Sequence, residues 1–139
     1  MTIAPVGAAD AHFGIAQQFM VGARALAALP NCALTLAFVC AHICECLFKA
    51  FLLWKGVPEP SLKAHQVRHD LSALRAMTVV RGLAVNANEP QWLGLLSSLH
   101  ESPFQLRYPV GLNGVVSPGP QPMLTDLEAL LQLVRAARP

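Results

Sequence analysis

Charge is scarce in this sequence: only 13% of its 139 residues are Asp, Glu, Lys or Arg, and 54% are hydrophobic. An ordinary soluble domain carries about 25% charged residues, so the chain has roughly half the usual means of covering its exterior. Apolar content this high excludes intrinsic disorder, and the length suits one compact domain. Basic runs are missing too. Ten Lys and Arg against eight Asp and Glu leave a net charge of +2, without the clustered cations of an electrostatic nucleic-acid footprint. Aromatics are few, at 6%, and Trp54 and Trp92 have no basic groove beside them, so they read as packing rather than as base-stacking platforms. A phosphate-cradling loop is also absent, because the Gly111 to Gly119 stretch has neither the lysine nor the strand-to-helix setting of a P-loop.

Cysteine occurs in only one place. Cys32, Cys40, Cys44 and Cys46 crowd into one apolar segment, which excludes a framework of disulfides between distant loops. On a helix Cys40 and Cys44 share a face while Cys46 and His42 point elsewhere, so four ligands do not converge on a zinc ion. Buried thiols are expected, with no metal and no cofactor. Met1 to Asp10 lacks the basic start and apolar core of a signal peptide. The expected location is the cytoplasm, with residues 1–9 as a loose leader and 10–139 as a single domain.

Cys32 to Trp54 is long and apolar enough for a helix to cross a bilayer. It nevertheless carries His42, Glu45 and Lys49 at helical spacing beneath Thr35, a polar stripe that lipid would not accept. A core helix is the better reading, with no membrane partner.

Around that segment the periodicity predicts an all-α bundle of five helices. The first runs from an Asp10 N-cap toward Leu29, with two apolar rows: Phe13, Ala16, Met20, Ala23 and Ala27, then Ile15, Phe19, Leu26 and Leu29. Pro30 and Asn31 punctuate the chain, Asn31 as a cap, and the second helix pairs antiparallel with the first. Gly56 to Pro60 is a breaker. A third helix, with His69 and Asp70 at its first turn, where a carboxylate suits the positive end, stops near Gly82. Pro90 opens a fourth helix through His100. From Ser102 to Pro122 five prolines and three glycines make a long irregular connection. The last helix is expected to start at Thr125 in a capping box with Glu128.

The constellation with most chemistry is Glu45 and Lys49 together with His69 and Asp70. An exposed Glu–Lys pair one turn apart contributes only ~0.2 to 0.5 kcal/mol, and solvent exposure is one arrangement open to it. The other, which is the expectation, buries Glu45 against His69 or Arg107, where hydrogen bonds make a desolvated carboxylate tolerable. A histidine beside a carboxylate is common to general acids and to structural pairs. Ser72, His69 and Asp70 lie on one helix turn and cannot form a nucleophilic triad. His42 reads as a satisfied helix histidine, and His12, His65 and His100 have no partner identifiable from the sequence.

These residues also bring a family into view. Ala41-His42-Ile43-Cys44-Glu45-Cys46-Leu47-Phe48-Lys49-Ala50 resembles the Glu-x-x-x-Lys-Ala second helix of HEPN-type domains, and His69-Asp70-Leu71-Ser72-Ala73-Leu74 is similar to their following His-Asp-Leu-x-x-Leu segment. Leu106-Arg107-Tyr108-Pro109 is similar to an Arg-Tyr-Pro element of some members, so the resemblance spans about Phe13 to Val134. It implies a helical, commonly dimeric protein of a prokaryotic superfamily linked to nucleotide or RNA handling, toxin-antitoxin pairs and phage defence. Many members are metal-independent ribonucleases with an Arg-x4-6-His motif. That motif is missing, since Arg107 is followed by Tyr-Pro-Val-Gly-Leu-Asn, and Arg24, Arg68, Arg75, Arg81 and Arg135 have no histidine at that distance.

The expectation is a small homodimeric HEPN-like module, non-catalytic, binding a nucleotide, RNA or a protein partner through a cleft lined by Glu45, Lys49, His69, Asp70 and Arg107. Helix one and the cysteine-rich side of helix two are the expected dimer contact, because a monomer would leave apolar rows wet. The alternative is a ribonuclease or nucleotide-modifying enzyme in which His69 acts as acid or base and Arg107 or Lys49 holds phosphate.

Overall fold

The computed structural model describes residues 7–64, 67–86, 88–100 and 118–139, and among them every regular element is a helix. In chain order these are α1 (Ala8–Ala27), α2 (Ala33–Trp54), α3 (Glu59–Leu62), α4 (Leu71–Val80), α5 (Gln91–His100) and α6 (Pro120–Ala136). The all-helical architecture agrees with the apolar periodicity. Six helices among the described residues replace the expected five because the Gly56–Pro60 breaker runs directly into the single turn α3, in which Pro60 stands at the start, where its missing N–H costs nothing.

The apolar segment rich in cysteine became the centre of the bundle. α2 packs against α1, α4, α5 and α6, while α1 also meets α6 and α4 meets α5. Every residue from Ile43 to Leu52 is buried, the all-round enclosure that a helix apolar on all sides requires. It is also the one helix among the described residues long and apolar enough to cross a membrane, and most of it is covered by the rest of the chain.

Helix ends follow local chemistry more closely than the sequence reading allowed. Gly56 and Gly82 take positive φ, 88° and 91°, just past the ends of α2 and α4. At each, the amide two residues beyond the cap reaches back into the last turn: Val57 N–H donates to the Leu52 carbonyl and Leu83 N–H to the Thr78 carbonyl. This six-to-one closure needs a left-handed residue, which glycine supplies without a Cβ penalty. Val57 and Leu83 are both buried by it.

Three boundaries differ from expectation. Gly7, not Asp10, is the N-cap of α1, and Asp10 lies inside the first turn, where its carboxylate pairs with Arg138 at 3.5 Å. Asn31 is not a cap: it adopts φ 60° in the turn, and Cys32 takes the cap position of α2. Thr125 and Glu128 form no capping box, because α6 already begins at Pro120, five residues earlier, and Glu128 pairs with Arg24 on α1. Proline suits the first turn because its fixed φ matches the helix and its missing N–H has no partner to lose there.

The two apolar rows of α1 separate by function. Phe13, Ala16, Met20 and Ala23 are buried, with the Phe13 ring 5.5 Å from that of Trp54. Ile15, Phe19 and Leu29 of the second row remain exposed, as do Val21 and Leu34. The thiols of α2 are buried, as expected, and for that reason the cysteine-rich side of α2 is not an outer surface and does not offer the dimer contact expected of it. Cys40, Cys44 and Cys46 are buried within the protomer, and burial pushes the thiols of Cys40 and Cys46 up to about 12 and that of Cys44 well above its usual value. Such thiols are chemically quiet.

Candidate functional site

Glu45 is the centre of the one buried charge cluster among the described residues. It sits mid-way along α2 with 5% of its surface exposed, and one turn later Lys49, also buried, places its ammonium 3.5 Å from Oε2. Two imidazoles meet the other oxygen. His69, in the turn before α4, brings Nδ1 to 2.6 Å from Oε1, and His100, the last residue of α5, brings Nε2 to 3.2 Å from the same atom. The two rings stand almost perpendicular, at 86°, with centroids 5.6 Å apart.

The electrostatics follow from that geometry. Burial alone would raise the Glu45 carboxyl, but the hydrogen bond from His100, the charge of Lys49 and the hydrogen bond from His69 together outweigh it and hold the group down at about 2, against an ordinary 4.5. An ionised carboxylate can only accept, so both rings present an N–H to it. The pKa of His12 on α1 is lowered by burial and then by the charge of Lys49.

Of the residues singled out from the sequence, Glu45, Lys49 and His69 meet, as expected of the buried arrangement. Asp70 does not join them. Its Oδ1 accepts from the Ala73 amide at 3.0 Å and so caps α4, which is the structural role its place before that helix suggests. Ser97 of α5 completes the cap, its hydroxyl oxygen accepting from the Leu71 amide at 3.1 Å. Arg107 and His65 lie outside the described residues.

The sequence reading missed His100, which is 3% exposed and turned onto Glu45. No spacing could have found it, since it is separated from Glu45 by 55 positions; the one local hint is that it closes an apolar helix face where a histidine would need a partner. His42 behaves as read, its Nε2 lying 3.7 Å from the Cys46 sulfur and its ring 5.1 Å from that of Phe19.

Away from the cluster a recess of about 190 Å³ opens beside Arg75, Trp92 and Asp126. Its polar groups are already engaged: Arg75 donates to the carbonyls of Asn86 and Asn88, and Trp92 Nε1 donates to Asp126 at 2.6 Å. It is therefore a packing feature, and the Glu45 cluster is the better site.

In comparisons with known proteins, no family model, curated protein or solved structure matches this chain. The cluster offers a fixed carboxylate, an ammonium and two imidazoles, of which only the His69 side chain, 24% exposed, borders solvent.

Proposed function

We propose that this chain is a HEPN-like helical module, homodimeric and non-catalytic, that binds a nucleotide, RNA or a protein partner in a prokaryotic defence or toxin-antitoxin type of system in the cytoplasm. The observation that carries the reading is the Glu45 carboxylate, which joins two of the three sequence segments on which the resemblance rests: Glu45 and Lys49 on α2, and His69 at the head of α4. In this reading Lys49 and His69 line the cleft, Arg107 adds a cation to it, and Asp70 supports it from behind by anchoring α4.

Two features favour binding over catalysis. His100 is enclosed and both imidazoles are directed at Glu45, so the cluster lacks a pair of histidines able to reach opposite sides of a scissile phosphate. The Arg-x4-6-His motif is missing as well. Dimerisation is favoured by the exposed Ile15, Phe19 and Leu29 of the second apolar row of α1, which no other described part of the protomer covers.

The partial exposure of His69 supports a second reading, in which it serves as the acid or base of a metal-independent ribonuclease with Arg107 on the phosphate. One experiment separates the two. Purified protein is incubated with labelled RNA and nucleotides, and binding and cleavage are scored for wild type, His69→Ala and Arg107→Ala. Saturable binding without cleavage, weakened by Arg107→Ala, is the expected result. Cleavage that His69→Ala abolishes selects the ribonuclease, and neither binding nor cleavage leaves a protein partner, to be sought by co-purification.

A further inference from the structure

The geometry points to a binding site for a first-row divalent transition ion formed by Glu45 Oε1, His69 Nδ1 and His100 Nε2. This goes beyond the binding function above and does not rest on it. It also departs from what the resemblance implies, which is chemistry without a metal.

Three independent parts of the fold deliver the donors: the middle of α2, the turn before α4 and the end of α5. All three atoms lie within 4.8 Å of one another. At a tetrahedral ion with bonds of about 2.0 to 2.1 Å, donor atoms stand about 3.3 Å apart. The separation of His100 Nε2 from Glu45 Oε1 is 3.2 Å and that of His69 Nδ1 is 2.6 Å, so of these two contacts the one to His69 has to lengthen, and its ring is the most exposed of the three side chains. The near-perpendicular rings both direct a nitrogen to Glu45 Oε1 without stacking on each other.

Lys49 fits as a positioning group. Its ammonium lies on Oε2, 3.5 Å away, and so leaves Oε1 as the oxygen turned to both rings. Groups that hold ligands in this way are a regular part of metal sites. Its charge opposes that of the ion and keeps affinity below that of a site without a neighbouring cation.

The donor set selects the class of ion. Two imidazoles and one carboxylate suit zinc, cobalt, nickel or ferrous iron and leave a coordination position open. Calcium and magnesium prefer oxygen ligands throughout. On binding, each ring turns a lone pair toward the ion and carries its proton on its other nitrogen, so neutral imidazoles need lose no proton.

The test is titration of the full chain with cobalt(II), followed by visible absorption and by the ring proton resonances of the histidines, with zinc(II) as competitor. The expected result is saturation at one equivalent, without a thiolate charge-transfer band, with paramagnetic shifts at His69 and His100 larger than at His42, and reversal by zinc. His69→Ala should weaken binding at least about tenfold, a loss comparable to that from removing even a supporting group, while His42→Gln leaves it unchanged. Absence of saturable binding would overturn the proposal, and so would a thiolate band removed by Cys46→Ser. Full affinity in a folded His69→Ala protein would do the same. Should that variant not fold, the wild-type resonance shifts decide alone: shifts centred on His42 would count against the site. No RNA enters the titration, so its outcome is separate from that of the binding assay above.

Discussion

His69 Nδ1 lies 2.6 Å from Glu45 Oε1, a contact that fastens the turn before α4 to the middle of the central helix. Through it a charged group inside an apolar bundle becomes a joint between elements. A carboxylate with 5% of its surface exposed would be costly alone, and its partners come from three different places in the fold.

Acid should therefore loosen the metal-free protein in a defined window. The Glu45 carboxyl is depressed in the folded state to about 2 from 4.5, so its contribution to stability is fully present above the unfolded value and is lost as pH falls from about 4.5 toward 2. The loss should amount to a few kcal/mol at full protonation. Urea midpoints measured across that range should fall steeply for the wild type and less steeply for Glu45→Gln. Equal slopes would show that the carboxylate is not held by its partners.

The two histidines should differ in structural weight. His100→Ala removes an enclosed ring and one donor to Glu45, and should cost roughly 2 to 4 kcal/mol from cavity and lost hydrogen bond combined. His69→Ala, at the edge of the cluster, should cost about 1 to 2 kcal/mol. Denaturant unfolding of the single variants checks the order, and an equal or reversed ranking would contradict the burial assigned to His100.

Asp70 and Ser97 should behave as one cap. Asp70 accepts from the Ala73 amide, and Ser97 accepts from the Leu71 amide with its hydroxyl 3.4 Å from the Asp70 carboxylate. Either change to Ala should cost about 1 kcal/mol, and the double variant should cost measurably more or less than the sum, because the groups share one helix end. Strict additivity in a double-mutant cycle would separate them. Asp70→Asn, which keeps a capping oxygen, should restore most of the loss.

The exposed apolar row gives the homodimer its own test. Ile15 and Phe19 are 40% and 37% exposed, so Phe19→Glu or Ile15→Lys should shift a dimer to monomer in light scattering with little effect on the monomer's helix content. A wild type already monomeric at micromolar concentration would remove the dimer from the proposed function.

Much of this molecule was readable before folding. Alternation of apolar residues at helical spacing marked α1, α2, α4 and α5 to within a few residues, and Gly82 and Asp70 marked the two ends of α4, because glycine past a helix and a carboxylate before one act through neighbours in sequence. The polar stripe of α2 was visible for the same reason, since residues three and four apart share a face. Where Glu45 goes was a different matter. Nothing local distinguishes a stripe that faces water from one that faces another helix, and the crossing of α2 with α4 and α5 decided it. That crossing also recruited His100, turned Asp70 away to cap α4, and enclosed the cysteines that composition alone left available for a dimer contact. Periodicity is a property of one segment, whereas the meeting of a carboxylate with an imidazole 55 positions away depends on how whole helices pack.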